Sequence, residues 1–296
     1  MRAFDYMATV DLRQAVRLLD EHGTSARILA GGTDLLADLK SSSSSPGLII
    51  DISRIKELKV IESTAHGLRI GAMVTHSEIM QSALIREHCP ALADAARTIG
   101  AVQTRNLGTL GGNLVTAVPS MDSGATLLAL DARVVLACGG GTREMPLTDF
   151  FMGPRKTVLR PGELLVEVVI PACNLGKPTH FLKTGLRKGQ ALALVNVAAS
   201  LWLDAAGNIE EPRIALGAVA PSVIRAMAAE RYLAGRSPQP GSMAEAGKIA
   251  AEECRPINDF RATAAYRRDL VAVLVKRALA QACERALKRQ HERGVP

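Results

Sequence analysis

The sequence predicts an α+β protein in two parts. Three observations carry that reading. Short helical and strand patterns alternate as far as Pro171. Beyond it the pattern changes to an antiparallel strand pair followed by helices. Neither part shows an internal repeat of solenoid period. With 296 residues, 48% of them apolar, the chain has material for more than one core.

The elements follow in order. "DLRQAVRLLDEHG" puts Leu12, Ala15, Val16 and Leu19 on one helical stripe, and Gly23 ends it. "ARILAGGTDLLADLK" reads as a short strand, a tight turn and a helix start. "SSSSSPG", 41–47, reads as a surface loop. "LIIDI", 48–52, and "GLRIGA", 67–72, read as strands. Thr75 caps a helix at "HSEI", with Glu78 placed three residues on as in a capping box. "CPALADAARTIG" is a further helix, with Pro90 in its first turn and Gly100 at its end. "ARVVLACGGGTREMPLTDF" turns one strand back into a second, and "GELLVEVVIP", 162–171, is a strand that Pro171 stops. The domain boundary falls near 172–178, in "ACNLGKP". Two antiparallel strands then meet at a Gly207-Asn208 turn. Two helical segments follow, the last being the long "AAYRRDLVAVLVKRALAQACERALKRQ".

Composition excludes several classes. No apolar run has the length of a bilayer span. Asp5 stands where a secretory leader would need apolar residues, so a cytoplasmic protein is expected. Aromatic residues make up 3% of the chain, too few for nucleic-acid stacking platforms. Cys89, Cys138, Cys173, Cys254 and Cys283 are scattered. Without a C-x-x-C they carry no local zinc or iron–sulfur signature, and they read as reduced, buried thiols. The net charge is +7, and from Arg255 onward ten Lys/Arg face four Asp/Glu. That tail reads as a solvated helix face or a surface for an acidic partner protein, rather than for nucleic acid. Arg285, Lys288 and Arg289 are its candidate docking residues.

Two glycine pairs need a reason: Gly31-Gly32 in "ILAGGTDLLADL" and Gly111-Gly112 in "RNLGTLGGN". Each reads as a plain tight turn or as an anion cradle. Glycine admits positive φ and close ligand approach, and successive exposed N–H groups make an anion-binding concavity. Thr33, Thr109 and Asn113 add neutral donors. Neither G-x-x-x-x-G-K-[ST] nor G-x-G-x-x-G is present, so no P-loop or Rossmann first turn supplies the answer. The chain has no Ser/His/Asp or paired-carboxylate constellation of recognisable spacing. His76, alone at a helix start, is assigned no chemistry.

"ILAGGTDLL", "IGAMVTHSEI", "VQTRNLGTLGGNL" and "AVPSMD" resemble, in order and spacing, the FAD-binding subunits of the molybdenum hydroxylases of xanthine, nicotinate and carbon monoxide dehydrogenase type. "FLKTGLRKGQALALVNVAA", "RIALGAVAPSVIRA" and "DFRATAAYRRDLVAVLVKRAL" are similar to that family's C-terminal domain, so the resemblance spans nearly the whole chain. It implies an N-terminal two-subdomain FAD-binding domain of vanillyl-alcohol-oxidase (PCMH) type over residues 1–174. A C-terminal domain like that of the CO dehydrogenase flavoprotein would follow over 175–290, an antiparallel sheet with helices.

The resemblance also implies roles. Leu29, Ala30, Gly31, Gly32, Thr33, Asp34, Leu35 and Leu36 would wrap the FAD pyrophosphate and ribityl chain. Thr109, Gly111, Gly112 and Asn113 would form the facing loop, with Ala101 on the adenosine side. Asp122 would accept hydrogen bonds from FAD, and it also reads as a helix N-cap. Leu165 would lie near the isoalloxazine ring and Lys183 at its polar edge, where a cation stabilises the reduced ring. FAD would be non-covalent. The molybdenum cofactor and [2Fe–2S] clusters would sit on large and small partner subunits, in a dimer of heterotrimers. Electrons would leave to NAD+ or a quinone. The cysteine-rich insert of hydroxybenzoyl-CoA reductases is missing. A free-standing FAD-dependent oxidoreductase, or a fold that binds no flavin, are the rival readings.

Overall fold

The computed structural model describes residues 3–41 and 45–292, so Ser42 to Ser44 of the expected serine loop lie outside the described residues. The first unit is a small parallel sheet. It comprises β1 (Asp5–Ala8), α1 (Leu12–His22), β2 (Ala26–Leu29), α2 (Leu35–Ser41) and β3 (Leu48–Asp51), in strand order β1-β3-β2. Ser41, read as loop, is the last residue of α2. Asp11 caps α1 by accepting from Arg13 N–H, and the apolar stripe buries Ala15, Val16 and Leu19 beneath it.

The second unit is a five-stranded antiparallel sheet, order β4-β5-β10-β6-β7. Its strands are β4 (Ile61–Thr64), β5 (Gly67–Gly71), β6 (Arg133–Cys138), β7 (Gly141–Pro146) and β10 (Leu164–Pro171); a hairpin, β8 (Phe151–Gly153) with β9 (Lys156–Thr157), lies beside it. Between β5 and β6 run six helices. These are α3 (His76–Gln81), α4 (Ala83–His88), α5 (Pro90–Arg97), α6 (Val102–Leu107), α7 (Leu110–Thr116) and α8 (Asp122–Ala129). Thr75 and Glu78 form the expected capping box of α3.

The third unit is an antiparallel sheet, β11 (Thr179–Gly185), β12 (Ala193–Leu203), β13 (Ile209–Gly217) and β14 (Ile224–Arg225), in that order. It is followed by α9 (Met227–Leu233), α10 (Pro240–Glu253) and α11 (Ala264–Glu292), one helix more than the sequence pattern gave. β12 is buried over nine successive residues because α8 covers one face and α11 the other. All eight residues of α8 are buried, and its polar members Asp122, Ser123 and Thr126 are enclosed with the rest.

Two expectations are corrected here. Cys138 and Cys173 are exposed; only Cys89, Cys254 and Cys283 are buried thiols. The basic face of α11 is partly spent within the chain: Arg285 donates to Thr179 O and Arg289 to Gly176 O.

Candidate cofactor site

The two glycine pairs meet, and they do different jobs. After β2 the chain turns through Gly32, whose φ is +73°, with the Leu29 and Leu36 side chains packed beneath it. The N–H groups of Gly31, Gly32, Thr33 and Asp34 make no hydrogen bond to any described residue. Four successive free amides in a tight turn are a cradle for an anion.

Gly111 and Gly112 are not in a loop, as expected, but in the first turn of α7. Thr109 is its N-cap and accepts from Gly112 N–H at 3.1 Å. Gly111 N–H donates to Ala72 O at 2.9 Å, and Asn113 N–H to Thr109 O at 3.0 Å. The amides of this pair are therefore committed. Gly111 is small because Ala72 is there: a side-chain carbon would lie 2.6 Å from Ala72 Cβ. Tertiary packing overrides the poor helix propensity of paired glycines. Asn113 Oδ1 accepts from Ser123 Oγ at 2.6 Å, and Thr116 Oγ1 reaches Asp34 at 3.5 Å.

Between the two motifs lies a cavity of about 370 Å³. Ala30, Gly31, Gly32, Thr33, Asp34, Leu35, Thr109, Gly111, Gly112, Asn113 and Leu165 line it. Its remaining wall comes from residues that sequence reasoning did not single out for the site. Ile28, Ile52, Met73, Ile99, Leu159 and Leu192 are apolar, and His76 and Glu163 are polar. Leu29 and Leu36 support the turn from behind. Ala101, the N-cap of α6, does not line the cavity.

Asp122 and Lys183 are joined to each other instead. Their side chains, 4% and 8% exposed, form an ion pair at 2.5 Å. Lys183 also donates to Thr98 O at 3.0 Å, Thr98 Oγ1 to Asp122 at 3.1 Å, and Asn196 Nδ2 to Asp122 at 2.9 Å. Three donors leave the carboxylate about one free lone-pair site, and Asp122 lines neither the first cavity nor the one beside Lys183. Burial raises the Asp122 carboxyl, opposed by the Lys183 ammonium. Asp122 is not the N-cap of α8, as expected; Met121 is, and Asp122 is the first helical residue. Lys183 lines a second cavity of about 590 Å³ with Arg97, Thr98, Arg187 and Lys188, so this neighbour is strongly basic. Chain neighbours line the two cavities, Thr98 and Ala191 the second and Ile99 and Leu192 the first.

A free-amide cradle opening on a mainly apolar cleft between a small parallel sheet and a helix-rich sheet suits a dinucleotide cofactor. The residues present fit FAD: a diphosphate on the amides, rings against the aliphatic walls. The family described as "FAD binding domain in molybdopterin dehydrogenase" matches residues 2–173, and "CO dehydrogenase flavoprotein C-terminal domain" matches 180–282. The chain belongs to the FAD-binding subunits of the molybdenum hydroxylases. It is 33% identical to the glyceraldehyde dehydrogenase medium chain of Sulfolobus acidocaldarius over 276 residues, 93% of this chain and 96% of that one. The solved structure of carbon monoxide dehydrogenase from Hydrogenophaga pseudoflava matches with a TM-score of 0.92 at 34% identity, covering 96% of this chain and 98% of that one. Quinoline 2-oxidoreductase from Pseudomonas putida 86 matches with a TM-score of 0.90 at 32% identity, over 96% and 98%. These are oxidoreductases, and the fold class read from the sequence is the one found. Among the described residues no helix is long and apolar enough to cross a membrane.

Proposed function

We propose that this chain is the electron-transfer flavoprotein of a cytoplasmic molybdenum-containing hydroxylase or dehydrogenase. It takes electrons from the [2Fe–2S] clusters of a small subunit, which draws them from a large molybdopterin subunit. It passes them to an acceptor such as NAD+ or a quinone. The assembly is a dimer of heterotrimers, and the chain divides at 174/175 into FAD-binding and C-terminal flavoprotein domains. The observation that carries the reading is the set of four free amides, Gly31 to Asp34, facing a cavity closed by α7.

Bound non-covalently there, FAD supplies a carrier for one or two electrons. The amides of residues 31–34 hold its pyrophosphate, and Thr33, Thr109 and Asn113 give it neutral hydrogen-bonding groups. Leu165 packs on the ring system, and Ala101 belongs to the adenosine side. Asp122 accepts one further hydrogen bond while it orients Lys183. That ammonium, fixed at the ring's polar edge, favours the reduced flavin.

An absorption spectrum of the chain purified with its companions tests this. Flavin bands, FAD released on denaturation, and iron–sulfur absorbance from co-purifying larger and smaller chains are expected. Flavin without companions points to a free-standing oxidoreductase. A colourless protein that takes up no added FAD overturns the reading.

A further inference from the structure

The flavin reading leaves one side chain of the main cavity without a task. His76, the first residue of α3, lines that cavity and is 2% exposed. Its ring makes no hydrogen bond to any described residue, and Nδ1 is fully enclosed. A buried polar group left unpaired costs about 1–3 kcal/mol, so native proteins keep few of them.

The ring sits at the seam of the two glycine motifs. His76 N–H donates to Gly108 O at 3.0 Å. A side-chain carbon built on Gly108 would stand 3.4 Å from His76 Cδ2 and 3.6 Å from Thr33 Oγ1. His76 Cδ2 and the Thr33 hydroxyl of the free-amide turn therefore lie on the same side of Gly108, and both residues line the cavity. Burial, and secondarily the Arg105 guanidinium, push the imidazole pKa down to about 4. At neutral pH the ring is uncharged, with one N–H to donate and one lone pair to accept.

We propose that His76 is a cofactor-positioning residue, donating its Nε2 proton to a non-ester oxygen of the FAD pyrophosphate beside the amides of residues 31–34. This rests on the FAD reading above. It gives Nε2, the ring nitrogen that is not enclosed, a partner, and it ties α3 and the second glycine motif to the first through the ligand.

The test titrates the full-length apoprotein with FAD and with ADP, which keeps the pyrophosphate and lacks the flavin. His76→Phe fills the space without the donor. It is expected to weaken both ligands about ten- to hundred-fold, the range for losing a hydrogen bond to a charged acceptor. His76→Gln carries an amide near the place of Nε2 and should recover most of the affinity; His76→Asn, which reaches only Nδ1, should not. Wild-type affinity in His76→Phe overturns the proposal. So does weakened FAD with unchanged ADP, which would put the contact at the flavin end. Rescue by Asn and not by Gln also overturns it. Should His76→Phe fail to fold, ³¹P spectra of FAD bound to wild type and to His76→Gln decide. One pyrophosphate resonance should move and the other stay, and identical spectra overturn it. A wild-type chain that binds neither ligand overturns the FAD reading itself, a separate result from loss confined to the variants.

Discussion

Gly31 rests against the backbone of Leu107: a side-chain carbon at Gly31 would fall 1.8 Å from the Leu107 carbonyl oxygen. The first glycine pair thus serves the fold before it serves any ligand, because it lets the turn after β2 touch the end of α6. Gly31→Ala must push rigid backbone aside, and overpacking of this kind costs about 1–3 kcal/mol. Thermal melting of the apoprotein should show a clear drop for Gly31→Ala. Gly112→Ala should drop less, since at 2.9 Å it meets a side-chain atom, the Thr109 hydroxyl, whose displacement costs one helix cap and no backbone shift. Equal melting of wild type and Gly31→Ala would disprove the close approach.

The Lys183–Asp122 pair bridges β11 and α8 inside the protein. Lys183→Met strands a buried carboxylate, a loss of about 3–5 kcal/mol by analogy with other broken buried pairs. Adding Asp122→Asn should return much of it. Urea denaturation of the two single variants and the double variant measures the coupling. Simple additivity would mean that the pair does not hold.

His76 contributes a pH dependence of known sign. Its pKa is about 4 in the folded chain against an ordinary 6.5, so between those values the unfolded chain binds the proton. Stability from this group is full above pH 6.5 and declines as pH falls toward 4, by on the order of 3 kcal/mol. Asp122, raised by burial, acts in the opposite sense, so the comparison should be wild type against His76→Gln. The difference in unfolding free energy between pH 7 and pH 4.5 should shrink in the variant. An unchanged difference would show that the imidazole is not held neutral.

Lys177 is buried with no hydrogen-bond partner for its ammonium among the described residues, 3.7 Å from the exposed Glu211 carboxylate. Burial lowers its pKa from 10.5 to about 8. The unfolded chain holds the proton across that window, so stability rises as pH climbs from 8 to 10.5, by on the order of 3 kcal/mol. Lys177→Met should abolish this rise and be no less stable than wild type at pH 7. Marked destabilisation at pH 7 would mean that the charge is well paired.

Much of the fold was legible because local signals agreed with it. The Thr75–Glu78 capping box, the Gly23 stop and the Gly207-Asn208 turn depend on neighbours in sequence, and each is found. The second glycine pair misled, since Gly111-Gly112 reads locally as a turn. A carbonyl some forty positions upstream, Ala72 O, holds it in a helix. The site was legible in its two glycine motifs and Leu165, and little beyond them. Its apolar wall draws Ile28, Met73, Ile99, Leu159 and Leu192 from five separate stretches, and no spacing rule joins them. His76 escaped for the same reason, since a single histidine carries no pattern until the fold encloses it.

Helix α8 has one last consequence. Buried on every side, it packs against α5 and α7 within the first two-thirds of the chain and against β12 and β13 in the last third. Asn196 and Ser200 of β12 donate to carbonyls at its two ends, and Asn174 Nδ2 donates to Leu130 O just beyond it. It is a keel shared by both hulls. Covalent continuity through the stretch beside exposed Cys173 is therefore incidental to cohesion. A protease nick there should leave two fragments that migrate as one particle.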